Sequence, residues 1–179
     1  MPEKSVPLLV RDLMKVGVPT CPPETPVDEI ARWMLEKSLE AVIVLDPEEG
    51  HALGYVSWDE LVKVYGERQA MDDERGSMAG LTANDVMCER IPQVPPDIPL
   101  AAAVQLMNDQ GVRTLFLMHH AGGVVYPAAY LSYSQILRHI AARNPEELRD
   151  LGVGAERKTP LETFIEKRDA ARKRAGGRM

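Results

Sequence analysis

One block of sequence is written twice in this chain. VRDLM at residues 10–14 returns as ANDVM at residues 83–87, an offset of 73. With Met14 laid on Met87, Pro19 falls on Pro92, Pro22 and Pro23 on Pro95 and Pro96, Glu24 on Asp97, and Pro26 on Pro99. Apolar positions stay in step beyond the prolines: Val27, Ile30, Ala31 and Met34 fall on Leu100, Ala103, Val104 and Met107. Their spacing of i, i+3, i+4, i+7 is the buried face of a helix. A gapless self-match of this length means a duplicated supersecondary unit, which buries its apolar surface by packing on its neighbour.

After each helix comes a short apolar run, Ala41 to Leu45 and Thr114 to Met118. These runs are too short for helices and rich in β-branched or bulky residues, so they read as buried strands. Turns are expected at 46–50 and at 119–123. Second strands then lead into a serine, from Leu53 to Ser57 and from Ala128 to Ser132. The offset is now 75, which places two extra residues in the second turn. Closing helices are expected from Ser57 to about Tyr65 and from Ser132 to about Arg143. The stretch GERQAMDDERGSMAGL is polar, punctuated by glycine and without period, which marks a linker. The expected fold is α/β (α+β): two tandem βαββα units packed sheet to sheet with pseudo-twofold symmetry and a cleft between them. The expected bounds are 8–66 for the first unit, 67–81 for the linker, 82–143 for the second unit and 144–179 for a C-terminal extension. That extension opens its helix with a capping box, Thr159-Pro160-Leu161-Glu162, and turns basic from Lys167. It reads as a solvated terminal helix or as a dock for a partner chain.

Charge narrows the partners. The net charge is −6, yet residues 156–179 carry eight basic against four acidic side chains, leaving −10 on the rest. An acidic body disfavours nucleic acid and anionic lipid. Two cysteines, Cys21 and Cys88, are too few for a disulfide framework, and a reducing cytoplasm is the expected home. No signal peptide and no membrane-spanning segment is read. Neither a Walker loop, a G-x-G-x-x-G, a G-x-S-x-G nor an H-E-x-x-H occurs, and no catalytic or metal-ligating constellation offers itself. His119 and His120 are adjacent on a strand end and so point to opposite sides. The expectation is a non-enzyme without a required cofactor.

The pieces Asp12-Leu13-Met14 and Asp85-Val86-Met87, Ala31 with Met34, Ala103 with Met107, and the stretches Gly54 to Leu61 and Ala129 to Ile136 resemble the cystathionine-β-synthase (CBS) domain. The resemblance covers about residues 8–143, and rests on the order, spacing and duplication of the pieces. It implies a tandem pair, or Bateman module, that forms a homodimer and holds an adenine-based ligand (AMP, ADP, ATP or S-adenosylmethionine) in the inter-domain cleft. Carried over by position, the first copy's candidate contacts are Val18, Pro19, Thr20, Ala41, Val42, Tyr55, Ser57, Trp58 and Glu60. The second copy's are Ile91, Pro92, Arg113, Thr114, Leu131, Ser132, Tyr133 and Gln135.

The copies depart from the family pattern at the polar positions. The acid that holds a ribose is replaced by Glu60 in one copy and Gln135 in the other. Both S-x-x-[EQ] stretches also satisfy a capping box, which is the plain structural reading of Ser57/Glu60 and Ser132/Gln135. Trp58 and Tyr133 read as packing residues or as stacking partners for a purine. Ahead of the strand stand Glu40 in the first copy and Arg113 in the second, so a phosphate is expected to prefer the second. The leading expectation is a stand-alone sensor of an adenine-containing ligand. The second is a protein-interaction scaffold with degenerate ligand sites, acting through its C-terminal helix.

Overall fold

The computed structural model describes residues 7–70 and 78–144. In chain order these form α1 (Val10–Leu13), β1 (Lys15–Val16), β2 (Thr20–Cys21), α2 (Val27–Glu36), β3 (Ala41–Leu45), β4 (Ala52–Ser57) and α3 (Trp58–Gln69). The second half follows as α4 (Ala83–Val86), α5 (Leu100–Gln110), β5 (Thr114–Ala121), β6 (Val124–Ser132) and α6 (Tyr133–Ala141). The repeated apolar positions make the two middle helices, with Val27, Ile30 and Met34 buried in α2 and Ala103 and Met107 buried in α5. One sheet runs β2-β3-β4 and the other β1-β6-β5. The fold is the expected pair of units with their sheets face to face. The C-terminal helix expected from the sequence lies outside the described residues.

Each short helix packs on the opposite half. Val10, Leu13 and Met14 join Val94, Ala103, Met107, Leu115 and Leu131 in one core. Ala83 and Val86 join Val27, Ile30, Met34, Val42 and Val56 in the other. Matching backbone bonds fix both exchanges: Val10 donates to the Ile98 carbonyl at 3.0 Å and Ala83 to the Thr25 carbonyl at 2.8 Å. A four-residue helix cannot bury its own apolar face, so it is stable only against a groove that another unit supplies. Asp85 accepts from the Thr82 N–H at 2.8 Å, closing a capping box, and these bonds hold its carboxyl below the ordinary value. Exchange also carries β1 onto the second sheet, with Lys15 opposite Tyr130.

The seam between the sheets is apolar. Ala41, Ile43 and Tyr55 of the first sheet meet Phe116 and Met118 of the second, with Val18, Ile91 and Tyr130 at the margins. The Tyr55 and Phe116 rings lie 6.1 Å apart and tilted by 56°, an edge-biased arrangement that aromatic pairs favour. Beside them Tyr55 donates to the Cys88 carbonyl at 3.0 Å and Cys88 returns the bond at 2.9 Å. A Cβ built on Gly54 would stand 2.7 Å from that Cys88 oxygen, so this approach requires glycine.

Three local expectations need correction. The second hairpin does not turn over residues 119–123: β5 runs through Ala121 and only Gly122 and Gly123 turn, with φ of 59° and 81°. Two glycines at positive φ make a tight hairpin turn whose twist suits the strands, so the extra residues extend the ladder. α3 continues past Tyr65 to Gln69, because Glu67, Arg68 and Gln69 are good helix formers. The Ser57 capping box does not form, since the Ser57 hydroxyl donates to Glu60 and no side chain caps the helix. Its counterpart does form: Gln135 Oε1 accepts the Ser132 N–H.

Candidate functional site

A cavity of about 330 Å³ opens where the approach to β2 meets the second copy's sheet. Val18, Pro19 and Thr20 line it from the segment before and into β2, and Val42 lines it from β3. Pro19 is held there by its carbonyl, which accepts the Ile43 N–H at 3.0 Å. The C-terminal end of α2 and the residues after it supply Trp33, Lys37 and Leu39. The Lys37 ammonium stands 5.6 Å from the centre of the Trp33 ring, within cation–π range. Lys15 and Tyr130 close the wall from the second sheet. Burial pushes the Tyr130 phenol up; Arg138 opposes this and the Glu40 carboxylate adds to it. The volume falls in the range of small-ligand pockets, about 300–1,000 Å³.

Two polar links cross between the halves at repeat-equivalent positions. Glu40 Oε1 accepts the Ser134 N–H of α6 at 2.8 Å, an acid placed at a helix N-terminus. Arg113 meets Asp59 of α3 at 3.1 Å. Glu40 corresponds to Arg113 and Asp59 to Ser134, so one contact is built twice with its chemistry changed. Among the described residues, Glu40 Oε2 and Thr114 Oγ1 are buried without a hydrogen-bond partner, the kind of group that a water or a bound molecule satisfies.

A family model for the CBS domain matches the chain twice, over residues 10–67 and 83–142. The chain belongs to the CBS-domain family. Solved structures share its fold. The CBS-domain protein ATU1752 from Agrobacterium tumefaciens is 18% identical with a TM-score of 0.61, over 76% of this chain and 96% of that one. The CBS domain pair of MJ0100, in complex with 5′-methylthioadenosine and S-adenosyl-L-methionine, is 14% identical with a TM-score of 0.60, over 78% and 100%. CBSX2 in complex with AMP is 22% identical with a TM-score of 0.54, over 74% and 95%. No curated protein matches the chain.

Within this CBS pair the residues singled out from sequence are divided between sites. Val18, Pro19, Thr20 and Val42 line the cavity. Ala41 and Tyr55 lie in the seam, where burial first, then Glu60 and Cys88, push the Tyr55 phenol up. Ser57 and Glu60 bond to each other. Trp58 instead lines an apolar groove with Met34, Leu35 and Val62 on the outer helices. In the second CBS copy, Ile91 packs at the seam, and Pro92 gives its carbonyl to the Phe116 N–H at 2.8 Å. Thr114, Leu131, Ser132 and Gln135 are buried, Leu131 in the second core. Arg113 is turned to Asp59, and the Tyr133 hydroxyl reaches Asn108 Oδ1 at 3.4 Å.

Sequence reasoning missed Lys15, Trp33, Lys37, Leu39 and Tyr130. One signal was available: Trp33 lies off the apolar stripe of α2, and a large aromatic on a polar helix face marks a surface with something to cover. Lys15 and Tyr130 carried no such mark, because the strand pairing that joins them is tertiary. Among the described residues no group of three or more His, Cys, Asp or Glu could hold a metal, and no helix is long and apolar enough to cross a membrane. Cys21 is buried, which pushes its thiol up.

Proposed function

We propose that this CBS pair is a regulatory module that binds an adenine-containing ligand, AMP, ADP, ATP or S-adenosylmethionine, in the cleft between its halves. The observation that carries the reading is the cavity, which joins apolar walls from Val18, Leu39 and Val42 to the aromatic groups of Trp33 and Tyr130. A purine has two apolar faces and a polar edge, and such a slot suits both. The walls come from both copies, so a bound molecule contacts the two halves together. It would then favour the relative orientation in which both contacts are made, and that difference in affinity sets the size of the response. The complexes of MJ0100 and CBSX2 with adenine-based molecules support the same class of ligand. Calorimetric titration with AMP, ADP, ATP and S-adenosylmethionine is expected to show saturable heat for at least one. No heat from any of the four at millimolar ligand removes the reading.

The same module is proposed to act as a homodimer through its outer helices. The groove lined by Leu35, Trp58 and Val62 is wholly apolar, and Leu35 and Val62 are 75% and 71% exposed. The repeat places Leu137 and Ile140 at the positions of Val62 and Tyr65, again exposed, so a second copy presents matching apolar surface. Val62→Glu is expected to convert a dimer to a monomer in light scattering. A wild-type protein that is monomeric at calorimetric concentrations sinks the dimer.

A further inference from the structure

We infer that Lys15 and Lys37 make the cleft of the first copy a receptor for phosphorylated adenine nucleotides, one per chain, and exclude the sulfonium ligand S-adenosylmethionine. This rests on the adenine reading above and narrows it. The two ammonium groups come from different elements, Lys15 from β1 on the second sheet and Lys37 beside the end of α2, yet both line one cavity. Each is exposed, and a compact, mobile ammonium recognises phosphate as a point charge. S-adenosylmethionine carries a sulfonium and an α-ammonium against one carboxylate, a net positive charge that the two lysines oppose where they favour the net negative charge of AMP.

The equivalent position in the second copy is built differently. Through the offset of 73, Lys15 becomes Cys88, Trp33 becomes Leu106 and Lys37 becomes Gln110, while Gly17 becomes Arg90. The lysine pair and the tryptophan are therefore present once. Arg113, the basic residue that the second copy keeps beside its strand, is drawn across the seam to Asp59. Arg138 and Glu40 also act on Tyr130 in the wall of the first cleft. Glu40 points one oxygen to the Ser134 N–H at the start of α6, where the helix dipole offsets part of its charge.

The test is calorimetry with adenosine, AMP and S-adenosylmethionine on the wild-type chain, on K15Q/K37Q and on K63Q, whose charge lies on α3 in an exposed pair with Glu67. Wild type is expected to bind one AMP per chain, about a hundredfold tighter than adenosine, roughly tenfold for each lysine contact. S-adenosylmethionine is expected to bind more weakly than adenosine. In K15Q/K37Q the AMP affinity should fall to that of adenosine while adenosine itself binds as before, which also shows that the variant is folded; K63Q should match wild type. Undiminished AMP binding in K15Q/K37Q, tighter binding of S-adenosylmethionine than of AMP, or two nucleotides per chain overturns the inference and leaves the adenine reading standing. Silence from all three ligands overturns the inference, and silence from ADP and ATP as well overturns the adenine reading.

Discussion

Phe116→Ala is expected to lower the stability of the chain by about 3–5 kcal/mol, the cost of emptying a large aromatic from a close-packed site. Phe116 is fully buried and lies in the seam, where its ring meets Tyr55. Its backbone is held on both sides, donating to the Pro92 carbonyl at 2.8 Å and accepting from Val94 at 2.9 Å, so the site has little freedom to collapse around a void. The damage should also weaken the coupling between the halves. Both tryptophans, Trp33 and Trp58, belong to the first copy, so their fluorescence reports that half while far-ultraviolet circular dichroism reports both. In urea the wild-type transitions should coincide by the two probes, and in the variant they should move to lower urea and separate. A loss below about 1 kcal/mol, well short of what emptying a buried aromatic site costs, would mean that the seam does not hold the halves together.

Gly54→Ala should be nearly as damaging for the opposite reason, the addition of one carbon. The new Cβ would lie 2.7 Å from the Cys88 carbonyl oxygen and 3.1 Å from the Met87 sulfur. The sulfur can swing away, but the carbonyl is fixed by its bond from the Tyr55 N–H at 3.0 Å. Overpacking of this kind costs about 1–3 kcal/mol, and contact with backbone places it at the upper end. The repeat supplies the control. Ala129 stands at the equivalent position of the second copy, opposite Val16 of β1, and already carries a buried Cβ. Ala129→Gly should therefore cost only about 1 kcal/mol, the loss of chain stiffness and a little packing. Thermal denaturation decides the matter, and a Gly54→Ala protein as stable as its parent would show that Cys88 is not held where the structure places it.

Much of the fold was legible because it depends on local periods. The i, i+3, i+4, i+7 spacing of Val27, Ile30 and Met34 forces a helix with one buried face wherever that helix is put. The run from Ala41 to Leu45 likewise forces a strand buried on both sides, as found. The cleft was less legible. Val18, Pro19, Thr20 and Val42 were identified by position and line the cavity, but the charge pattern pointed to the second copy through Arg113. A positive side chain in sequence carries no sign of what it faces, and here it faces Asp59 from the other half.

The sequence by itself determined that a unit is duplicated, which faces of its helices and strands are apolar, and that the two units must cover each other's surface. Those properties follow from side-chain chemistry repeating at a fixed interval along one chain. Only the tertiary structure decided that α1 and α4 trade cores, that β1 therefore sits beside β6, and that Lys15 thereby joins Lys37 at one opening. An apolar pattern states that a surface is buried and is silent about which of two equivalent partners buries it. The partner is chosen by the packing of the whole molecule, and with it the lining of the cleft.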